Sequence, residues 1–174
     1  CWASPEDPKQ LGALVRAAEG CRDAAKGFST PFISGKDSMF NQSKDEKGKD
    51  LAIPGTLLIS AVAPVPDGRK AVTMDFKGPG NALYLIGRTN DELGGSLYHR
   101  ILGRVGGEVP KVVPAAAIDG FKALHAAINR ELVLSAHDLS EGGLALCAAE
   151  MGFTGEFGCL LDLDECPRDP RIYS

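Results

Sequence analysis

Apolar positions change their period several times along the chain, and each change predicts an element. Ser4-Pro5-Glu6-Asp7-Pro8 is a helix-entry signal with acidic residues near the positive end of the dipole. Leu11, Leu14, Val15, Ala18, Cys21 and Ala25 then recur at helical spacing, which predicts a helix over 9–27 closed by Gly27. Pro31-Phe32-Ile33-Ser34 predicts a short strand running into Gly35-Lys36-Asp37-Ser38. The charged stretch 41–50 predicts an exposed, mobile loop. The continuous apolar run 56–65 predicts a buried strand, Pro66-Asp67-Gly68 a turn, and 71–76 a further strand.

Lys77-Gly78-Pro79-Gly80 is the best candidate for a boundary between a domain at 1–77 and one at 78–174. Beyond it, strands are predicted at 82–86, 132–136 and 158–163. They alternate with helices predicted at 95–105, 114–131 and 144–151. Such alternation points to an α/β layer.

Composition bounds the function more than the fold. A hydrophobic fraction of 44% allows a sizeable core. The net charge of −4 and the pI near 5.4 argue against nucleic acid or an anionic membrane as a bulk electrostatic partner. No run approaches a membrane span of roughly 20 apolar residues. The five cysteines, Cys1, Cys21, Cys147, Cys159 and Cys166, are scattered without zinc spacing. They read as reduced thiols of a cytoplasmic protein. The chain starts on Cys1-Trp2 and closes on Arg171-Ile172-Tyr173-Ser174, so both ends read as cuts through a longer protein.

Three stretches could carry chemistry. In Ser34-Gly35-Lys36-Asp37-Ser38, glycine would let a ligand approach the backbone, and Lys36 could meet a phosphate. Asp37 could ligate magnesium, and Ser38 could hydrogen-bond an anion. The spacing is not that of a P-loop, and an ordinary turn is the alternative. In His137-Asp138-Leu139-Ser140-Glu141-Gly142-Gly143, a strand end opens a helix, a common ligand position in α/β sheets. Asp138 offers hard oxygen to magnesium, and Ser140 with the free amides of the helix start suits phosphate. Ser140 could equally cap the helix. His137 reads either as a general base or as a histidine bonded to backbone. In Asp91-Glu92-Leu93-Gly94-Gly95-Ser96, the paired glycines could cradle phosphate or allow close packing.

Taken together and in order, these stretches resemble a known family. Residues 31–38, the run from Pro54 to Ala61, Asp91–Ser96 and Ala136–Gly143 are similar to segments in the second half of phosphoribosylformylglycinamidine synthase synthetase subunits. That family is aminoimidazole ribonucleotide (AIR) synthetase-like. The resemblance implies the end of a second β-rich domain at 1–77 and most of a second α/β domain at 78–174. It implies ATP-dependent amidation of formylglycinamide ribonucleotide through an iminophosphate, with ammonia drawn from glutamine. Implied partners are the N-terminal half of the same synthetase, a glutaminase subunit or domain and, as a third candidate, a small accessory subunit.

The resemblance also implies roles for single residues. ATP contacts fall on Gly35, Lys36 and Ser140, a substrate contact on Ser38, and magnesium on Asp138 and Asp37. Lys36 stands where one branch of the family has a metal-binding Asn, and a protonated Lys cannot ligate metal. Asp37 would then take the metal, or Lys36 would touch phosphate directly. The Asp138–Ser140 site would hold a structural nucleotide. The family's catalytic histidine and principal ATP-binding lysine lie in the first half, so the segment by itself is expected to be inactive. Competing readings are a binding module without chemistry and another ATP-using relative, such as aminoimidazole ribonucleotide synthetase or thiamine-monophosphate kinase.

Overall fold

The computed structural model describes residues 1–163, in two compact units of which one is Cys1–Pro64 and the other begins at Val65. The elements are mixed, with four α-helices and one two-stranded sheet among the described residues. Cys166 and the end of the chain lie outside the described residues.

In the first unit, α1 spans Pro8–Phe28. Asp7 caps it by accepting a hydrogen bond from Lys9 N at 2.9 Å, and Pro8 occupies the first turn, where its missing N–H costs nothing. The expected cap at Gly27 is replaced by Ser29. Its φ of 54° is left-handed, and its N–H reaches the carbonyls of Ala25 and Lys26. Gly27 stays inside the last turn. The helix's apolar stripe is only partly covered, with Leu11 44% and Val15 49% exposed.

The stretch 41–50 is no irregular loop. It contains β1 (Gln42–Lys44) and leads into β2 (Asp50–Ala52), an antiparallel pair in the register Gln42–Ala52, Ser43–Leu51, Lys44–Asp50. The turn between them rests on Asp45, whose Oδ1 accepts from Lys47 N and Lys49 N at 2.9 Å each. An aspartate mimicking a backbone turn in this way is what lets so charged a stretch fold back on itself.

The buried centre of this unit is Trp2, with Ala3 beside it. Trp2 N donates to Ser38 O at 2.8 Å, and Trp2 O accepts from Asn41 N at 3.0 Å. The indole Nε1 donates to Gln10 O at 2.9 Å. The ring lies flat against the backbone at Gly55, where an added Cβ would sit 2.3 Å from Cζ2. Only glycine admits that approach.

The second unit begins with a 3-10 turn at Gly68–Lys70, capped by Asp67, which also pairs with the Arg69 guanidinium at 2.9 Å. Lys70 Nζ donates to Asn129 O at 2.9 Å, at the end of the second long helix. Three helices follow: α2 (Leu97–Ile101), α3 (Pro114–Asn129) and α4 (Gly143–Phe153). Helix α2 is shorter than 95–105, because Arg104 N turns back to His99 O at 2.8 Å. Helix α4 carries the buried face of the unit: Cys147, Ala148 and Met151.

The expected strands at 31–34, 56–65, 82–86 and 158–163 are not formed. Those at 71–76 and 132–136 meet only as a single parallel bridge, Thr73 with Ser135, extended by Ala136 N donating to Thr73 O at 3.3 Å. The expected β-rich region at 1–77 accordingly contains one short hairpin. The physical reason is that a strand is defined by a neighbour's backbone. The run 56–65 has strand composition but no ladder partner among the described residues, and Leu58 and Val62 stand 91% and 97% exposed. Beside the bridge, Lys77 pairs with Asp75, and the Thr73 hydroxyl donates to the same carboxylate at 2.6 Å. The Lys77 ammonium, helped by Thr73, holds the Asp75 carboxyl below the usual carboxylate range.

Two predictions follow from these packing contacts. Gly55→Ala should lower stability by about 1–3 kcal/mol, the usual cost of forcing an extra carbon into a filled space. The chain has a single tryptophan, so Trp2 fluorescence in a urea titration reads the change directly; an unmoved midpoint would contradict the packing. Burial, then the negative charges of Asp138 and Glu150, push the Cys147 thiol above its ordinary pKa. At pH 8, iodoacetamide should therefore label Cys147 more slowly than the exposed Cys1 and Cys159, read by peptide mass spectrometry. The folded state favours the protonated thiol, so this contribution to stability is present below the unfolded pKa and fades as pH rises through the folded one. Labelling of Cys147 as fast as Cys1 would overturn the assignment.

Candidate functional site

The first candidate stretch, Gly35–Ser38, lies in the first unit and is extended and open. Gly35, Lys36 and Asp37 are exposed, and nothing stands within 4 Å of a Cβ placed on Gly35. Ser38 is half-buried because its carbonyl is taken twice, by Trp2 N and by Asn41 Nδ2, each at 2.8 Å. Asn41 Nδ2 also reaches Trp2 O at 3.2 Å. One asparagine thus bonds the backbone at both ends of the contact that fixes Ser38. The Ser38 hydroxyl approaches Asn41 Oδ1 at the long distance of 3.5 Å and remains available. The stretch therefore has one held end, at Ser38, and a cation and a carboxylate free to turn outward.

The second stretch lies in the second unit, at the end of the bridged segment. The Thr73–Ser135 pairing delivers the chain to His137, and α4 begins just beyond Ser140. The helix cap is Gly142, with a left-handed φ of 84°, so Ser140 is not the cap. Instead the Ser140 carbonyl accepts from Gly143 N at 3.1 Å, and its exposed side chain is left for another role. Asp138 is 83% exposed at its side chain.

His137 is the enclosed member of this group, 11% exposed at its side chain. Its Nδ1 lies 2.8 Å from Asp138 O and 3.5 Å from Asp138 Oδ1. Its Nε2 lies 3.2 Å from Glu150 Oε2. The backbone-bonded reading of His137 is the one the geometry supports. Glu150 was not legible as part of the group, since only the docking of α4 brings it there. Its position among the helix residues that flank Cys147 and Met151 is the one available signal.

The third stretch, Asp91–Ser96, supports packing rather than phosphate. Gly94 N donates to Glu108 O at 2.7 Å, and a Cβ on Gly94 would lie 2.5 Å from Gly107 O. Ser96 caps α2 through His99 N at 3.2 Å. A cavity of about 530 Å³ borders this segment, lined among others by Asp91, His99, Arg104 and Glu108.

Among the described residues, no three His, Cys, Asp or Glu side chains stand together as a ready metal cage. Magnesium does not require one, because it keeps several waters and is held by one or two carboxylates plus phosphate oxygens. Asp138 and Asp37 each offer a carboxylate of that kind, hard in its oxygens and facing outward. No helix among the described residues is long and apolar enough to cross a membrane.

Comparison with known proteins bears on the whole length. Residues 78–174 match the family model of the AIR synthase related protein, C-terminal domain. Phosphoribosylformylglycinamidine synthase subunit PurL of Zymomonas mobilis is 33% identical over 163 residues, which is 92% of this chain and 22% of that protein. The PurL subunit of Thermococcus sibiricus is 34% identical over 168 residues, 97% of this chain and 23% of that one. That of Beijerinckia indica is 34% identical over 174 residues, 99% and 23% respectively. The chain thus spans less than a quarter of the length of the curated relatives it matches. The similarity takes in the Asp138–Ser140 turn and, outside the family model, Gly35–Ser38. This chain belongs to the AIR synthase related family, whose C-terminal, α/β-type domain it carries at residues 78–174.

Proposed function

We propose that these residues are part of the synthetase of phosphoribosylformylglycinamidine synthase and serve de novo purine biosynthesis in the cytoplasm. The observation that carries the reading is the similarity to PurL subunits along 92–99% of the chain. In this reading 1–77 closes a β-rich, AIR synthase-like domain and 78–174 supplies most of the α/β domain that follows. The intact enzyme would transfer the γ-phosphoryl group of ATP to the amide oxygen of formylglycinamide ribonucleotide. Ammonia from glutamine would then displace phosphate, giving the amidine, ADP and inorganic phosphate. The N-terminal half of the synthetase and a glutaminase are the partners that such a reaction needs, and a small accessory subunit is a further candidate.

The chain's own residues would hold and orient. Gly35 leaves the backbone open to a nucleotide, and Lys36 would meet phosphate as a point charge. Ser38, fixed by Trp2 and Asn41, would hydrogen-bond the substrate from a set position. Asp138, with Asp37 at the first stretch, would supply carboxylate oxygens to magnesium, and Ser140 would bond a nucleotide phosphate. Bound magnesium would neutralise negative charge on the phosphates. Preorganised donors and charges of this sort are the main means by which proteins accelerate phosphoryl transfer.

A second reading, a nucleotide-holding module without chemistry, is favoured at Asp138–Ser140 by the absence of an enclosed acid or base aimed into that turn. Two variants in the intact synthetase separate the two. Ser38→Ala should lower kcat/KM about 10- to 100-fold, the worth of a hydrogen bond to a charged group. Asp138→Asn should lower the melting temperature measured with Mg·ADP more than it lowers turnover. Equal loss of stability from both, with turnover intact, would leave only the module. The 174-residue chain, given substrate, ATP and ammonium, should release no ADP above a substrate-free control; release above it would contradict its role as a part.

A further inference from the structure

We infer that Glu150 is a positioning residue, whose carboxylate fixes the His137 ring and through it the Asp138–Ser140 turn. The inference rests on the nucleotide reading for what the turn holds, and on geometry for how the turn is held.

The turn is gripped at both ends. At its far end, Gly143 N takes the Ser140 carbonyl at 3.1 Å. At its near end stands His137, enclosed to 11% exposure. A carbonyl oxygen can only accept, so the 2.8 Å contact with Asp138 O makes Nδ1 the donor. This bond holds the Asp138 backbone to the ring. The ring in turn needs a fixed orientation, and the opposite edge supplies it: Nε2 faces Glu150 Oε2 at 3.2 Å. Glu150 is itself held by the helix that carries it. Cys147, Ala148 and Met151 of α4 are buried, and Met151 O accepts from Phe76 N at 3.3 Å.

Between the two grips, Asp138 and Leu139 are exposed, at 83% of the Asp138 side chain and 47% of Leu139. A short turn with fixed ends and an outward carboxylate is the arrangement that presents an oxygen to a ligand without a large ordering cost. The raised Cys147 thiol is a separate sign that Asp138 and Glu150 converge, since both act on it after burial. Histidine–carboxylate pairs orient ligating groups in the same way in metal sites, where the outer partner sets the geometry of the inner one.

The test compares Glu150→Ala, Glu150→Gln and the wild-type chain by two-dimensional NMR and by calorimetric titration with Mg·ADP. Glutamine keeps an acceptor oxygen at the same reach; alanine does not. In Glu150→Ala, the amide resonances of Asp138, Leu139 and Ser140 should shift and their heteronuclear NOE should fall, with α1 and α3 unchanged. The Mg·ADP dissociation constant should rise about 10-fold, the effect usual for losing an outer-shell partner. Glu150→Gln should restore most of both. Should Glu150→Ala unfold α4, the Gln variant decides alone: turn resonances like wild type support the inference, and resonances displaced as far as in His137→Ala refute it. Unchanged turn resonances in Glu150→Ala overturn it outright. Wild-type chain that binds no Mg·ADP overturns the nucleotide reading instead, while the resonances still decide whether Glu150 positions the turn.

Discussion

The parallel contact between Thr73 and Ser135 is the one on which the second unit depends. Backbone amides and carbonyls must be paired when they leave water, and this is where two distant segments of the unit pair with each other. Its consequences run in one direction. Ala136 is tied to Thr73, His137 is delivered beside α4, and the turn to Ser140 is left between a ring and a helix start. The Lys77–Asp75–Thr73 cluster stiffens the other side of the contact with groups that stay partly solvated. A surface arrangement of that kind contributes little by itself, so its value is in fixing Thr73 rather than in raw stability.

The first unit has a corresponding constraint in Trp2. A large, flat side chain is buried against a backbone that has no Cβ, and the same residue's main chain bonds Ser38 and Asn41. Packing and the candidate site thus share a residue. A change that loosens the indole would be felt at Ser38 before it was felt at Lys36 or Asp37, which have no such tether. This division, one held residue beside two free charged ones, suits a segment that must be oriented yet still reach a phosphate.

The sequence made the local features plain and the distant ones obscure. Helices α1, α3 and α4 were legible because their signals are local: Asp7 and Pro8 at one start, Pro114 at another, and apolar residues at helical spacing. The strands were not, because Leu57–Val62 and Leu83–Ile86 have the composition of strands while a strand also needs a neighbour, and composition names none. The hairpin at Gln42–Ala52 was missed for the opposite reason: its charge suggested an irregular loop, and Asp45's capping of its own turn overrode that. At the candidate sites, Asp138 and Ser140 could be picked out from their place before a helix. The role of Ser140 as a helix cap failed, since Gly142 takes it. Glu150 could not be picked out, because nothing in a helical run marks which residue will face a histidine.

The account's central claim is that Gly35–Ser38 and Asp138–Ser140 are two places where a magnesium nucleotide and its substrate are held. A Mg·ATP titration of the isotope-labelled chain, followed residue by residue in its amide spectrum, tests it most directly. The account predicts saturable shifts at Asp138–Ser140 and the first turn of α4, with smaller shifts at Gly35–Lys36, all lost when ATP is added without magnesium. Shifts confined to the lysine-rich hairpin at Lys44–Lys49, insensitive to magnesium, would contradict it.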